Sequence, residues 1–161
     1  LAERKIQQVV LCKPIQESGE KLGFLPGGIE DKMDPYMQSY ISNLKKIVGT
    51  EITERLIERE IIVFKPLAYM RGDTFDNSLM ILDEAQNATI HELKTIITRI
   101  GQGAKIVLLG DIDQIDTPYI DRQSSGLSIV IDRFRNSNLA AHINLSKGQR
   151  SDLASAAGLI L

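Results

Sequence analysis

The 161-residue sequence contains one cysteine, Cys12, and two histidines, His91 and His142. A single thiol cannot form an internal disulfide, and so few sulfur and imidazole ligands exclude a zinc cluster. No apolar run approaches the roughly 18 residues of a membrane span, and no basic segment followed by an apolar one opens the chain. We therefore expect a soluble protein of the reducing cytoplasm that makes no membrane contact.

The sequence also lacks a strong charge of either sign. It has 19 basic and 21 acidic residues, a formal net charge of −2. No global basic field attracts nucleic acid, so any such contact would have to use a local patch. With 43% apolar residues, the chain has the length and composition of one domain with a sizeable core.

A phosphate-binding loop of the form GxxxxGK[ST] is absent as well. Ser18–Lys21 and Pro26–Gly28 lack the strand before and the helix after that such a loop requires. The chain begins at Leu1 rather than Met, and residues 1–5 have the pattern of a helix end. Truncation just after the loop is the preferred interpretation, and a domain that has lost the loop is the alternative.

Among the motifs that are present, an acid pair after an apolar run is the most informative. Leu79–Leu82 leads directly into Asp83 and Glu84, a pattern typical of a Walker B motif. At the carboxyl end of a central strand, Asp83 can hold a magnesium-bound water while Glu84 polarises the water that attacks a terminal phosphate. Taken alone, the segment also fits a core strand that ends in a solvated acidic turn.

A second apolar run, Lys105–Leu109, leads into Gly110-Asp111-Ile112-Asp113-Gln114. Gly110 allows a tight turn and a close backbone approach to a ligand, and the neutral Gln114 amide can donate to a phosphate oxygen while it accepts from the attacking water. We therefore predict a phosphate-sensing turn. The alternative for this segment alone is an ordinary strand-to-loop turn capped by Asp111.

The segment between these motifs predicts a helix. Thr89-Ile90-His91-Glu92 has the capping-box pattern, and Gly101 stands where a left-handed terminal residue is expected. The apolar positions at helical spacing are Leu93, Ile96, Ile97 and Ile100. A right-handed strand–helix–strand crossover makes the two strands parallel and brings both acidic turns to one edge of the sheet.

The rest of the chain predicts further alternating elements. Residues 13–33 resemble a loop, Asp34-Pro35 supplies a helix start, and an apolar stripe that includes Tyr40 and Leu44 ends at Gly49. The other predicted elements are a helix over 50–59, a strand over 61–64, a helix over 127–134, a strand over 141–145 and a helix over 151–159.

Three segments together resemble the PhoH-like family of P-loop ATPases. They are Ile81–Asn87, Gly110–Gln114 and Gly19-Glu20-Lys21-Leu22-Gly23-Phe24-Leu25-Pro26-Gly27, the last being the most family-specific. The resemblance implies a three-layer α/β sandwich with a mostly parallel sheet and a superfamily 1 helicase-like core. Residues 1–161 would be the ATPase domain, with its first strand and phosphate loop supplied by an upstream segment.

The resemblance also implies site residues. Asp83 would serve magnesium, Glu84 would be the catalytic base, and Gln114 would sense the terminal phosphate. Arg150 would be an arginine finger or sensor, because a guanidinium offers planar, permanently charged donors to phosphoryl oxygens. Asp111 and Arg71 are further candidate nucleotide contacts, and Lys13 could make a single phosphate or RNA-backbone contact.

Function follows as a set of expectations. The first is magnesium-dependent ATP hydrolysis coupled to RNA remodelling or unwinding, with this piece inactive by itself. The segment Leu145–Ala154 is similar to the subgroup in which a PIN ribonuclease domain precedes the ATPase, and an arginine acting across a subunit boundary would require a homo-oligomer. The alternatives are a non-hydrolysing nucleotide sensor or assembly module and a loop-less domain that binds partners only.

Overall fold

The computed structural model of the chain describes residues 6–14, 29–145, 151, 153 and 156. Side chains are described from Met37 onward in the first helix. The predicted family loop Gly19–Gly27 and the predicted arginine finger Arg150 lie outside these residues. Leu153 and Ala156, which belong to the predicted final helix, are both helical.

Four parallel strands form the sheet of the described chain. They are β1 (Gln8–Cys12), β2 (Ile62–Phe64), β3 (Ser78–Leu82) and β4 (Lys105–Leu108), in the order β2-β1-β3-β4. The registers pair Cys12 with Leu82 and Leu82 with Leu108. The carboxyl ends of β1, β3 and β4 therefore meet at one edge, which confirms the predicted α/β class.

Helices lie between these strands and after the last of them. They are α1 (Ile29–Val48), α2 (Thr50–Glu58), α3 (Ile90–Ile97) and α4 (Gly126–Phe134), with short 3-10 turns at Leu67–Tyr69 and Ala85–Asn87. The β1–β2 and β3–β4 connections run in opposite directions across the sheet, so right-handed crossovers place their helices on opposite faces. The Tyr40 ring of α1 lies 6.4 Å from the Phe64 ring of β2, between centroids. These features are those of a three-layer arrangement.

Alternation along β1 and β3 determines where the core lies. Val10 and Met80 are register partners, as are Cys12 and Leu82, and all four side chains are at most 2% exposed. They project from the same face because successive side chains in a strand alternate. Each fully buried aliphatic side chain contributes about 1.5–3 kcal/mol, so this stripe anchors the two central strands whose ends carry the site.

Helix α1 begins earlier than predicted. The helix already includes Ile29, whereas Asp34-Pro35 predicts the first turn. Pro35 thus lies inside the helix, where proline ordinarily costs one backbone hydrogen bond and about 3 kcal/mol. The proline signal therefore did not mark the true start.

Two other local predictions were wrong. Helix α3 ends at Ile97 with Thr98 in the right-handed region, and Gly101 does not have positive φ. Instead the Gly101 N–H donates to the Phe75 carbonyl at 2.9 Å, and Ile100 forms an isolated parallel bridge with Phe75. A Cβ at Gly101 would overlap the Asp76 carboxylate and stand 3.0 Å from the Phe75 carbonyl oxygen, so a larger residue there would displace the Asp76 side chain.

The strand predicted over residues 141–145 is also absent from the structure, where these residues form no regular element. Residues 131–161 group as a unit separate from residues 1–130. Within the described part of that second unit, Leu139, Ile143 and Leu145 are 79–87% exposed. Because a strand needs a hydrogen-bonded neighbour, apolar alternation alone does not produce one.

None of the helices among the described residues combines the length and apolarity needed to cross a lipid bilayer.

Candidate functional site

The acid pair follows β3 directly. The Asp83 N–H donates to the Cys12 carbonyl at 3.0 Å and so extends the β1–β3 ladder by one residue. Glu84 then adopts a left-handed backbone conformation, with φ 54° and ψ 35°. That conformation costs roughly 1–2 kcal/mol for a residue with a Cβ. The two carboxylates consequently leave the strand in different directions.

Both carboxylate oxygens of Asp83 accept hydrogen bonds. The Tyr40 hydroxyl of α1 donates to Oδ2 at 2.6 Å, and the Glu84 N–H donates to Oδ1 at 3.0 Å. Burial, followed by the hydrogen bond to Asp83 and the charges of Asp83 and Glu84, raises the pKa of Tyr40 well above its usual range. Tyr40 therefore stays protonated and acts as the donor.

Glu84 is held from two sides. Its Oε2 accepts from Gln86 Nε2 at 2.7 Å, and its Oε1 lies 3.7 Å from Lys13 Nζ, just beyond β1. The Glu84 and Lys13 side chains are 38% and 30% exposed, so the ion pair is partly screened and adds little stability. Its effect is to orient the carboxylate.

Gln86 joins the acid pair to the second turn. Its side chain is completely buried, and besides Glu84 its Nε2 donates to the Gln114 carbonyl at 2.9 Å. Its Oε1 accepts from the Asp111 N–H at 3.2 Å. A Cβ at Gly110 would stand 2.6 Å from the same Oε1. The Gly110 backbone thus lies close to the Gln86 side chain, and its predicted approach to a ligand stays a prediction.

The Gly110–Gln114 turn is organised by Asp111. Asp111 Oδ1 accepts from the Asp113 N–H at 2.9 Å, and Oδ2 accepts from Gln114 Nε2 at 2.7 Å. The capped strand-to-loop turn considered from the sequence is thus present. A side-chain amide nitrogen carries two N–H donors, so one bond to Asp111 leaves Gln114 a second donor for a ligand at this exposed position.

The loop beyond this turn is anchored by Asn87. Asn87 Oδ1 accepts from the backbone N–H groups of Asp116 at 2.8 Å and Thr117 at 3.2 Å. Further on, Asp121 Oδ1 accepts from Ser124 and Gln123, and these bonds lower the pKa of the Asp121 carboxyl. The acid-pair segment therefore positions the chain on both sides of Gln114.

The structure brings together only part of the predicted site. Asp83, Glu84, Asp111 and Gln114 lie at the tips of the adjacent strands β3 and β4, linked also by a bond of 2.8 Å from the Ala85 N–H to the Leu109 carbonyl. Arg71 is exposed in the β2–β3 connection and is not part of this hydrogen-bond network among the described residues. Arg150 lies outside those residues.

Two side chains that hydrogen-bond to the acid pair, Gln86 and Tyr40, were missed by the sequence reasoning. Gln86 lies in the same segment as the acid pair, and its signal was a polar residue two positions after Glu84. Tyr40 was predicted only as part of an apolar stripe, and its hydroxyl was the one hint of another role. The bond from Tyr40 to Asp83 and the bonds from Gln86 to the second turn do not follow from sequence spacing, because they are formed across separate elements.

The donor set suits magnesium held jointly with a phosphate ligand. Among the side chains that the structure describes, no group of three or more His, Cys, Asp or Glu residues could hold a metal alone. Magnesium ordinarily takes one or two carboxylates together with waters and substrate phosphates. The oxygen-rich edge around Asp83 fits that mode, and a cage made only of protein ligands does not.

Comparison with known proteins identifies the family. The family model described as PhoH-like protein matches residues 1–157. Protein PhoH2 of Bacillus subtilis is 40% identical over 159 residues, 96% of this chain and 36% of that protein. Protein PhoH of Escherichia coli is 34% identical over 149 residues, 91% of this chain and 42% of that protein.

A PhoH-like protein of Bacillus subtilis is 49% identical over 113 residues, which cover 70% of this chain and 35% of that protein. The chain thus spans 35–42% of the length of these relatives. The family match over residues 1–157 includes the acid pair, the second turn and the strands that carry them. The chain belongs to the PhoH-like family.

Proposed function

We propose that this chain forms the catalytic edge of a magnesium-dependent ATPase. The observation that carries the proposal is the Gln86 amide, which ties the Glu84 carboxylate to the Gly110–Gln114 turn across two adjacent strand tips. An ATPase needs a water-activating carboxylate and a phosphate-sensing amide in one locus. A solvated acidic turn does not require a buried amide between them.

Each acidic or amide group has a separate task in this proposal. Asp83 holds magnesium, directly or through water, and the metal supplies positive charge to the phosphoryl oxygens when nucleotide is bound. Glu84 accepts a hydrogen bond from the attacking water and takes its proton. Gln114 donates its second N–H to the terminal phosphate, and Asp111 keeps that amide in place.

ATP binding also needs a phosphate loop, and GxxxxGK[ST] does not occur in these 161 residues. In the proposal this loop comes from elsewhere in the full-length gene product, so residues 1–161 alone are inactive. Arg71 and Arg150 are the candidate cationic contacts to the phosphates. If Arg150 acts across a subunit boundary, specific activity rises with protein concentration.

Substitution of Glu84 by Gln in the full-length gene product tests the proposal. The change keeps the side-chain shape and removes the base, so ATP affinity is expected to be retained while turnover falls about 10²- to 10⁴-fold. Equilibrium ATP binding and phosphate release measure the two effects. Glu58→Gln, at an exposed position of α2, is the matched control and should leave both unchanged. Unaltered turnover in Glu84→Gln would remove Glu84 from the mechanism.

We further propose that hydrolysis is coupled to RNA remodelling in the cytoplasm, beside a fused PIN nuclease. Its support is the helicase-like resemblance and Lys13 at the edge of the site, where one phosphate contact is possible. Adding single-stranded RNA to the same phosphate-release assay addresses this coupling. Turnover that is independent of RNA would argue against it.

One observation favours a second candidate, a nucleotide sensor that does not hydrolyse ATP. Both carboxylate oxygens of Glu84 already have partners, Gln86 and Lys13, and a carboxylate so held could order a loop without activating water. The two candidates differ in the unsubstituted protein. ATP binding with no phosphate release would support the sensor.

A further inference from the structure

The hydrogen bond between Tyr40 and Asp83 joins a helix to the acid pair across 43 residues of sequence. Tyr40 Oη donates to Asp83 Oδ2 at 2.6 Å, a length typical of a bond between a hydroxyl and a charged carboxylate. The other oxygen, Oδ1, accepts from the Glu84 backbone. The Asp83 carboxylate is therefore oriented by two donors that belong to different elements.

Tyr40 itself is held in position. Its ring is half-buried and packs beside Phe64, with centroids 6.4 Å apart and planes tilted by 39°. The ring fixes where the hydroxyl stands, because a buried aromatic has few accessible rotamers. Each carboxylate oxygen has about two acceptor directions, so one donor at each oxygen leaves acceptor capacity for a metal or for its waters.

We propose that Tyr40 is a positioning residue that orients the Asp83 carboxylate for magnesium. The inference rests on the proposed function, since it assigns to Asp83 the role of magnesium ligand. Groups that hydrogen-bond to metal ligands determine ligand orientation, and their loss typically lowers metal affinity about 10- to 100-fold. Tyr40 touches neither nucleotide nor water in this proposal and acts through Asp83 alone.

Tyr40→Phe in the full-length gene product is the decisive variant, because it retains the ring beside Phe64 and removes only the hydroxyl. Manganese serves as a paramagnetic probe of the magnesium site, and its binding is measured by electron paramagnetic resonance with a non-hydrolysable ATP analogue present. We expect manganese affinity to fall about 10- to 100-fold. In steady-state assays, the magnesium concentration for half-maximal turnover should rise by a similar factor, with kcat at saturating magnesium changed much less.

Tyr69→Phe is the matched control, because Tyr69 is 51% exposed in the β2–β3 connection. It should leave manganese affinity unchanged. Unchanged manganese binding in Tyr40→Phe would overturn the inference. Tighter binding would overturn it too, because it would mean that the hydroxyl competes with the metal. If the unsubstituted protein binds ATP but no manganese, the magnesium assignment of the proposed function fails, and with it the inference.

Discussion

At the scale of single residues, the Gln86 amide joins the two halves of the candidate site. It is fully buried. Its nitrogen donates to the Glu84 carboxylate and to the Gln114 carbonyl, and its oxygen accepts from the Asp111 N–H. A buried amide without partners would cost several kcal/mol relative to water. Its position is therefore tied to Glu84 and to the Gly110–Gln114 turn, and these two parts of the site cannot shift independently.

Replacing Gln86 by Leu should destabilise the protein. The substitution retains approximate volume but leaves the Asp111 N–H without its acceptor and the Gln114 carbonyl without its donor. We expect the free energy of unfolding to fall by about 1–3 kcal/mol, measured by urea denaturation. Gln102→Leu, at an exposed position, is the control. Equal stability of the two variants would contradict the bridging role.

At the scale of elements, α3 determines the geometry of the site, because it connects the two strands that carry it. The helix has only eight residues, a length at which isolated helices are unstable in water. Two features compensate. Leu93 and Ile96 are fully buried, and Thr89 and Glu92 form the predicted capping box, each side chain accepting from the other's backbone N–H.

Thr89→Ala should therefore weaken α3 measurably. Thr89 Oγ1 accepts from the Glu92 N–H at 3.2 Å, and loss of such a cap costs about 0.5–2 kcal/mol. Urea denaturation again provides the measurement. Thr95→Ala in the same helix is the control: the Thr95 hydroxyl only bonds back to the His91 carbonyl, and alanine is the better helix former. A cost for Thr95→Ala as large as that for Thr89→Ala would rule out a specific capping effect.

At the scale of the whole molecule, the position of β1 makes Cys12 a reporter of unfolding. β1 lies between β2 and β3, and Cys12 is 2% exposed. Burial raises the pKa of its thiol from 9.0 to about 12. The reactive thiolate is thus both inaccessible and scarce in the folded state, and exposing it requires opening the sheet.

We expect Cys12 to resist labelling by a thiol reagent at pH 8 until the protein unfolds. Because Cys12 is the single cysteine of the sequence, absorbance of the released chromophore reports one site. The labelling rate should rise with urea in parallel with global unfolding. Rapid stoichiometric labelling without denaturant would mean that β1 opens independently of the rest of the sheet.

The success of the sequence predictions differed between local and non-local features. The capping box of α3 and the apolar runs of β3 and β4 were correctly predicted, because neighbouring residues suffice to define them. The prediction that Gly101 terminates α3 was wrong, since the Gly101 N–H donates to the Phe75 carbonyl. The prediction of a strand over 141–145 was wrong, because these residues have no partner strand in the described structure.

The sequence alone determined the family, the α/β class and the delivery of two polar turns to one sheet edge, because these depend on short motifs and on the handedness of a crossover. Only the tertiary structure decided how that edge is held together. Tyr40 reaches Asp83 from α1, and Gln86 joins Glu84 to the second turn. Hydrogen bonds of this kind depend on distances between separate elements, and those distances exist only once the strands and helices have packed.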